Sequence, residues 1–265
     1  MTGFVVAIPS YKRAHILSEL SLPLLSSWGM PMDLVFVFCV KEDMDDYKNM
    51  ISRNPLFAGT NIVEGPLGLH HMRNFICSYF PRGCHILNMD DDIKNILCMK
   101  EDTSVQNTKS SKRYPLCPLA DTISWIERAF QITHNADATM WGIYPVRNGY
   151  FMKDLPSVTY DLRFCVGTFW GSINDPCMLI DIEEKEDFFR TLSVYEKHKV
   201  IVRFNHTCAT TNYYHNPGGM QARPNNRIDA SKASCAYLLN RWPQYCRLYN
   251  GKKNGVQEVR LKDQT

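Results

Sequence analysis

The amino-acid sequence predicts an α/β fold in which helices cover both faces of a mostly parallel, Rossmann-like sheet. Short apolar runs rich in β-branched residues, typical of fully buried strands, alternate with helical stretches through the first half of the chain. The 265 residues are 45% hydrophobic and 22% charged, so the chain can bury a sizeable core. No apolar run approaches the roughly 20 residues that cross a bilayer, and we expect no membrane contact.

The individual elements follow from the spacing of apolar residues. The run from Leu34 to Val40 is the clearest strand, and Ile123, Ile126 and Phe130 recur at helical spacing within a helix predicted over 119–134. Further strands are predicted at residues 4–8, 61–63, 84–89, 140–144 and 164–170, and further helices from Ala14 and at 44–52, 68–79, 183–195 and 230–240. Polar residues 100–113 predict a mobile loop, and a proline and two glycines predict another at 213–219.

Two features bear on the cellular compartment. The first apolar run has no basic leader and ends at once in Pro9, so it predicts a core strand rather than a signal peptide. The ten cysteines are scattered and form no CxxC pair, which favours small buried side chains in a reducing compartment over disulfides or zinc. We therefore expect a protein of the cytoplasm or the nucleus.

The charge is distributed unevenly along the chain. From Arg203 to the end there are ten Lys/Arg against three Asp/Glu, a balance of +7, so the first 202 residues carry −4 of the net +3. A basic C-terminal region on an acidic body suggests a polyanionic partner such as nucleic acid. A basic surface exposed only to solvent explains the charge equally well.

The strongest local signal is the acidic triplet Asp90-Asp91-Asp92, which follows a predicted buried strand. Ligands of open α/β sheets bind at the carboxyl ends of strands. Because alternate residues of an extended segment point the same way, Asp90 and Asp92 are expected on one side. Their oxygens suit a hard divalent cation, Mn²⁺ or Mg²⁺, that can bridge a diphosphate. The alternative is a solvated acidic turn.

Five motifs occur in an order that resembles one enzyme family. They are residues 8–13 (Ile-Pro-Ser-Tyr-Lys-Arg), 72–74 (Met-Arg-Asn), 90–93 (Asp-Asp-Asp-Ile), 186–187 (Glu-Asp) and 213–219 (Tyr-Tyr-His-Asn-Pro-Gly-Gly). The chain resembles the DNA-modifying glycosyltransferases associated with TET/JBP-type oxygenases, which include the base J glucosyltransferase and relatives in phages and large viruses. The resemblance covers residues 4 to 222, and its most distinctive motif is the last one.

The resemblance implies a GT-A fold and a set of donor-binding residues. Pro9, Ser10 and Arg13 would meet the nucleotide base and ribose, Glu42 the same nucleoside, Arg73 the base or diphosphate, and Asp90 and Asp91 the donor. Asp90, Asp92 and His215 would hold the metal ion, and Tyr213 and Tyr214 would stack on a base or line the sugar pocket. Each has a structural alternative: Ser10 can be a helix N-cap, the arginines can lie on the surface, and the tyrosines can pack in the core.

The resemblance also implies a catalytic base. In inverting GT-A enzymes the aspartate of the Glu-Asp pair takes the proton of the acceptor hydroxyl, which here would be Asp187, with Glu186 and Glu184 as alternatives. Acids at a helix start also favour the positive end of the helix dipole, so a purely structural role stays open.

The expected protein is an inverting, metal-dependent glycosyltransferase that moves glucose from UDP-glucose to a hydroxymethylated pyrimidine in DNA. Residues 1–222 would form the catalytic domain, and residues 223–265 a basic extension packed on it. Three alternatives remain: another acceptor such as a protein, glycan or lipid; nucleotidyl transfer; and a non-catalytic nucleic-acid-binding module. Nucleotidyl transfer usually needs a Gly-rich loop after the first strand, which residues 9–13 lack.

Overall fold

A central sheet of eight strands organises the structure, a computed structural model that describes residues 3–100, 114–211, 227–249 and 257–262. The strand order is β3-β2-β1-β4-β9-β7-β10-β8. Strands β3, β2, β1 and β4 are parallel, as are β7 and β10, while β9 and β8 run antiparallel to their neighbours. The predicted α/β class with a mostly parallel sheet is confirmed. The sheet strands are β1 (Val5–Pro9), β2 (Val35–Cys39), β3 (Asn61–Glu64), β4 (His85–Met89), β7 (Met140–Ile143), β8 (Val158–Thr159), β9 (Phe169–Ile173) and β10 (Val202–Phe204).

Helices lie on both faces of this sheet, as the strand sequences require. Alternate side chains of β1 enter different clusters: Val6 and Ile8 pack with Leu17, whereas Ala7 packs with Met72 on the opposite face. Strands buried on both faces read as continuous apolar runs, which is why they were predictable. The helices are α1 (Ala14–Glu19), α2 (Ser21–Ser27), α3 (Met44–Ser52), α4 (Leu69–Tyr79), α5 (Thr122–Asn135), α6 (Gly149–Met152), α7 (Glu186–His198) and α8 (Arg227–Arg241).

Two smaller antiparallel units complete the described part of the chain. Strands β5 (Ile93–Met99), β6 (Leu116–Pro118) and β11 (Thr207–Thr211) form a second sheet in the order β11-β5-β6. Strands β12 (Cys246–Tyr249) and β13 (Glu258–Leu261) form a hairpin. Helix α8 packs against α7, where Cys235, Leu238 and Trp242 join Phe189 and Leu192 in a separate apolar cluster.

Some of the predicted strands and loops differ from those of the structure. The strand predicted over 164–170 is wrong for its first part, because β9 begins at Phe169. Thr168, directly before β9, instead contacts the acidic triplet, where its carbonyl accepts the backbone N–H of Asp90 at 2.9 Å. Strands β5 and β11 were not predicted, since the sequence Thr-Cys-Ala-Thr-Thr of β11 becomes a strand only by pairing with β5. Most of the loop predicted over 100–113 lies outside the described residues.

The cysteines and the helices can each be compared with the predictions. All ten cysteines are free, and five of them are buried (Cys39, Cys165, Cys208, Cys235 and Cys246), whereas the other five are partly exposed. The prediction that they are not paired is confirmed, and the prediction of burial holds for half of them. Among the described helices, none has the length and apolar character to cross a membrane.

Candidate active site at the carboxyl ends of strands β1 and β4

The candidate site lies where the chain reverses its direction across the sheet. Strand β1 pairs with β2 on one side and β4 on the other, so the loops that follow β1 and β4 leave the sheet side by side. Such a switch point is the usual ligand crevice of an open α/β sheet. The first loop begins at Ser10, directly after Pro9 ends β1, and the second holds Asp90, Asp91 and Asp92, which we call the strand-end cluster.

Asp91 faces inward and ties the two loops together. Its carboxylate accepts the Ser10 hydroxyl at 2.6 Å and Arg13 Nη1 at 3.2 Å. The fully buried Tyr47 donates to Ser10 Oγ at 2.6 Å, and its own oxygen accepts the backbone N–H of Arg13 at 3.2 Å. Burial raises the pKa of Asp91 to about 6, although the Ser10 hydrogen bond and the Arg13 charge oppose the change. Ser10 and Arg13 therefore order the loop through Asp91.

Asp90 is the most exposed acid of the strand-end cluster, with 32% of its side chain accessible. It accepts Arg73 Nη2 at 2.9 Å, and Arg73 is itself only 3% exposed. Burial raises the pKa of Asp90 to about 7, the charges of Asp92 and Asp91 raise it further, and Arg73 opposes them. Arg73 lies beneath Asp90, so it orients this carboxylate rather than facing the crevice.

Asp92 accepts a hydrogen bond from a residue of the second sheet. Thr211, the last residue of β11, donates its hydroxyl to Asp92 Oδ1 at 2.6 Å, and Arg13 Nη1 lies 3.7 Å from Oδ2. His215, Tyr213 and Tyr214 follow within four residues of Thr211 but lie outside the described residues. Their predicted roles stay predictions.

The donor set of the strand-end cluster fits a hard divalent cation. Asp90 and Asp92 contribute carboxylate oxygens, the ligands that Mg²⁺ and Mn²⁺ prefer. Burial and the charges of Asp92 and Asp91 raise the pKa of Asp90, and a cation bound to its oxygens would favour the charged form. Asp91 is less suited to metal binding because it is the least exposed of the three acids and accepts hydrogen bonds from Ser10 and Arg13 on separate oxygens.

Glu42 lies on the same edge of the sheet, in the short 3-10 turn after β2, and is exposed. Its neighbour Asp43 is buried and accepts the backbone N–H of Lys12 at 2.8 Å. Lys12 has a φ of +55°, a conformation that a non-glycine residue rarely adopts, so this bond supports a strained turn. Asp43 therefore fixes the loop that carries Ser10 and Arg13.

A second group of acids, Glu186 and Asp187, opens helix α7, and we call it the helix-start cluster. Glu186 is buried and forms an ion pair with Arg190, one turn further along α7. The Arg190 guanidinium stacks on the Trp170 ring with its carbon 3.8 Å from the ring centroid. Glu184, the third candidate base, is buried, and its backbone lies against Ser234 of α8.

Asp187 is partly exposed, whereas Glu186 is buried. Its Oδ1 accepts the backbone N–H of Phe188 at 2.9 Å. Burial raises the pKa of Asp187 to about 6, the Glu186 charge raises it further, and Arg190 opposes both. A carboxylate with this pKa is mostly deprotonated at neutral pH and still basic enough to accept a proton.

Gly167 joins the two clusters. Its carbonyl accepts Arg73 Nη2 at 3.0 Å, on the side of the strand-end cluster. A Cβ at this position would lie 2.7 Å from Glu186 Oε1, closer than real Cβ contacts allow. Acids that are almost one hundred residues apart in sequence therefore meet around one glycine, and the Glu186 charge contributes to the raised pKa of Asp90.

Sequence reasoning missed several residues that build this site: Asp43, Tyr47, Gly167, Arg190 and Thr211. Arg190 alone had a local signal, because it stands four residues after Glu186 on one helix, the spacing of a helical ion pair. The others reach the site only through tertiary structure.

Comparisons with known proteins are limited to distant likeness in structure. No family model matches the sequence, and no curated protein matches it. The mannosyltransferase PcManGT from Pyrobaculum calidifontis, solved with GDP-Man and Mn²⁺, is similar to this chain at 11% identity and a TM-score of 0.46, over 76% of this chain and 56% of that one. A 4-diphosphocytidyl-2C-methyl-D-erythritol synthase from Anaerococcus prevotii DSM 20548 is similar at 10% identity and a TM-score of 0.42, over 89% and 96% of the two chains. Neither likeness identifies a substrate for this protein.

Proposed function

We propose that this protein is a metal-dependent, inverting glycosyltransferase of the GT-A type, with a UDP-sugar donor and a hydroxymethylated pyrimidine of DNA as acceptor. The observation that carries the proposal is the meeting of the two acidic clusters around Gly167 at the switch point of the sheet. One cluster has carboxylate oxygens for a metal ion that could bridge a diphosphate, and the other has the partly exposed carboxylate of Asp187, whose pKa is raised to about 6. Metal-assisted transfer to a hydroxyl needs both.

The nucleoside end of the donor would lie along the loop after β1. Pro9 ends the strand, and Ser10 and Arg13 are ordered by Asp91 and Tyr47. The exposed Glu42 lies at the same sheet edge and would reach the ribose or base. A loop ordered before the donor binds loses less conformational entropy on binding.

Asp90 and Asp92 would hold Mn²⁺ or Mg²⁺, with His215 as a third ligand. When bound, the ion would offset the negative charge that develops on the departing diphosphate. Arg73 keeps Asp90 oriented from below, since it donates to Asp90 and to the Gly167 carbonyl with the same nitrogen.

Asp187 would take the proton of the acceptor hydroxyl while that oxygen attacks the anomeric carbon opposite the diphosphate. Glu186 is less suited because it is buried and paired with Arg190. A single base on the face opposite the leaving group inverts the configuration, so an α-configured UDP-sugar would give a β-linked product.

The DNA acceptor is supported by the family resemblance and by the C-terminal charge. On α8 and the β12–β13 hairpin the exposed cations include Lys232, Arg241, Arg247, Arg260 and Lys262. Contacts of such residues with phosphates give affinity without sequence information.

Transfer of radiolabel tests the proposal. The protein is incubated with labelled UDP-glucose and Mn²⁺, and with matched DNAs that contain cytosine or 5-hydroxymethylcytosine. We expect label only on the hydroxymethylated DNA, and none with the Asp92→Ala variant. Release of UDP that depends on the metal, without label on either DNA, would keep the glycosyltransferase and reject this acceptor. The absence of both label and UDP release would reject the donor as well.

A further inference from the structure

A group of metal-ligating side chains lies at the far end of α7, away from the candidate active site. Cys177 lies in the short 3-10 turn that follows β9, Asp175 directly precedes this turn, and His198 is the last residue of α7. Because a helix rises about 1.5 Å per residue, His198 lies about 16 Å along α7 from Asp187. The group is therefore separate from the helix-start cluster.

The ligand atoms of this group lie close together. The Cys177 sulfur, a ring nitrogen of His198 and a carboxylate oxygen of Asp175 are all within 4.8 Å of one another. Cys177 Sγ is 3.7 Å from His198 Nε2. A tetrahedral zinc ion, with sulfur at about 2.3 Å and nitrogen at about 2.0 Å, holds two such ligands about 3.5 Å apart. The observed separation therefore suits one ion bound by both.

Hydrogen bonds hold the turn after β9 against α7. Asp175 is buried, and its Oδ1 accepts the backbone N–H of Cys177 at 2.9 Å. Ser193 of α7 donates its hydroxyl to the Cys177 carbonyl at 2.8 Å. Because the backbone is already fixed on both sides, the ligands need little rearrangement to bind an ion, which lowers the entropic cost of binding.

The donor set favours zinc over the metals expected at the candidate active site. A thiolate and an imidazole select Zn²⁺, whereas Mg²⁺ and Mn²⁺ prefer oxygen ligands. Burial and the Lys197 charge lower the pKa of His198, so its ring is mostly neutral at pH 7. Burial and the nearby Asp175 raise the pKa of the Cys177 thiol to about 12, so this thiol must release its proton to solvent when the ion binds.

Two cations compete with a metal ion for Asp175. Lys197 Nζ lies 2.6 Å from Oδ1, and Arg82 Nη2 lies 3.2 Å from Oδ2. Both reach the carboxylate from the surface, with 46% of the Lys197 side chain and 75% of the Arg82 side chain exposed. An ion pair with so exposed a partner contributes little to stability, so a metal ion can displace Arg82 from Oδ2.

We propose that Asp175, Cys177 and His198 bind one Zn²⁺ ion, with a water molecule as the fourth ligand. The ion would join the turn after β9 to the end of the helix that begins with the helix-start cluster. The cysteine spacing in the sequence favoured buried thiols over zinc ligands, because these ligands come from two elements that meet only in the tertiary structure. This site is independent of the proposed function.

Titration of the chain with Co²⁺ gives the direct test. Cobalt replaces zinc at sites of this kind, and a thiolate ligand gives it a charge-transfer band in the near ultraviolet that oxygen ligands do not give. We expect this band to appear with one equivalent of Co²⁺ and to disappear when Zn²⁺ is added. The Asp92→Ala variant should keep the band, because the strand-end cluster contains no sulfur ligand.

Variants of the ligands and their neighbours make the titration specific. Cys177→Ser should lose the band, and His198→Gln should bind Co²⁺ about tenfold or more weakly. Cys77→Ser is the matched control and should keep the band, because Cys77 Sγ contacts the Asp175 carbonyl at 3.6 Å but lies outside the ligand group. Arg82→Gln should raise the affinity about two- to fivefold, since it removes a competing cation.

Three results would overturn the zinc site. They are the absence of the charge-transfer band in the unmodified chain, a band that survives in Cys177→Ser, and a band that is lost in Cys77→Ser. Circular dichroism spectra establish that each variant is folded. If Cys177→Ser does not fold, the weaker binding expected of His198→Gln and the tighter binding expected of Arg82→Gln decide the question, and unchanged affinity in both would reject the site.

Discussion

The two acidic clusters of the candidate active site are built in different ways. The strand-end cluster is held by residues that are far away in sequence: Thr211 is 119 residues from Asp92, and Arg13 is 78 residues from Asp91. The helix-start cluster is local, since Glu186 pairs with Arg190 on the same helix. In both clusters a buried arginine fixes one acid, Asp90 or Glu186.

Under the proposed function, this difference would separate acids that position the site from acids that bind the metal ion or transfer a proton. In the strand-end cluster Asp91 is turned inward and holds the loops, and the proposed function assigns the metal ion to Asp90 and Asp92. In the helix-start cluster Glu186 is anchored by Arg190, and the proposed function assigns proton transfer to Asp187. Adjacent acids of the same type thus acquire different tasks from their partners. Four predictions test this division, from the largest expected effect to the smallest.

Replacing Asp187 should have the largest effect on turnover. Asp187→Asn removes the base but keeps the shape, and we expect turnover to fall by about 10²- to 10⁴-fold. Asp181→Asn is the matched control, because Asp181 lies in the same acidic run but is 59% exposed. Steady-state rates of transfer and circular dichroism spectra of both variants give the measurement. A rate for Asp187→Asn close to that of the control would remove Asp187 from the chemistry.

Replacing Asp92 and Asp91 should separate metal binding from stability. Asp92→Asn removes one charged ligand, so we expect Mn²⁺ affinity to fall about tenfold or more in calorimetric titration. Asp91→Asn should leave that affinity nearly unchanged. Its expected effect is a free energy of unfolding lower by about 1–3 kcal/mol in urea, because Arg13 and Ser10 lose a charged acceptor. The reverse pattern would place Asp91 on the metal.

Adding a methyl group at Gly167 should disturb the junction of the clusters. In Gly167→Ala the new Cβ displaces Glu186, and we expect turnover to fall by about tenfold, since small misplacements near reacting groups are costly. Gly3→Ala is the control, because a Cβ there meets nothing within 4 Å. Turnover numbers of the two variants are compared at saturating donor. Equal turnover would mean that the contact at Gly167 has no role in catalysis.

The smallest effect concerns the pH dependence. Because the base must be deprotonated and the pKa of Asp187 is raised to about 6, turnover should fall as the pH drops through about 6. In Glu186→Gln a neighbouring negative charge is lost, which lowers the pKa of Asp187, so the acidic limb should move to lower pH. Glu196→Gln, near the other end of α7 and 45% exposed, should leave the limb in place. A shift to higher pH in pH–rate profiles would show that another group titrates.

The sequence by itself determined the parts of this protein that depend on short-range patterns. Continuous apolar runs identified β2 and β4, because strands buried on both faces are apolar throughout. Helical spacing identified α3 and α5, because a helix buried on one face repeats its apolar residues every three to four positions. The position of the acidic triplet after β4 was equally visible, and so was the Glu-Asp pair near a helix start. The family resemblance suggested roles for these residues but did not indicate which side chains they contact.

Only the tertiary structure decided which way each acid faces and what it meets. The three aspartates of the triplet are identical in chemistry but have different partners. The partly exposed Asp90 accepts a hydrogen bond from Arg73, the inward-facing Asp91 from Ser10, and Asp92 from Thr211 of the second sheet. Gly167 has no sequence signal, yet it lies between the two clusters, where a Cβ would stand 2.7 Å from Glu186 Oε1. Residues that contact each other only through tertiary structure leave no periodic pattern in the sequence. For this reason the sequence predicted where the acids lie along the chain but not which residues they bind.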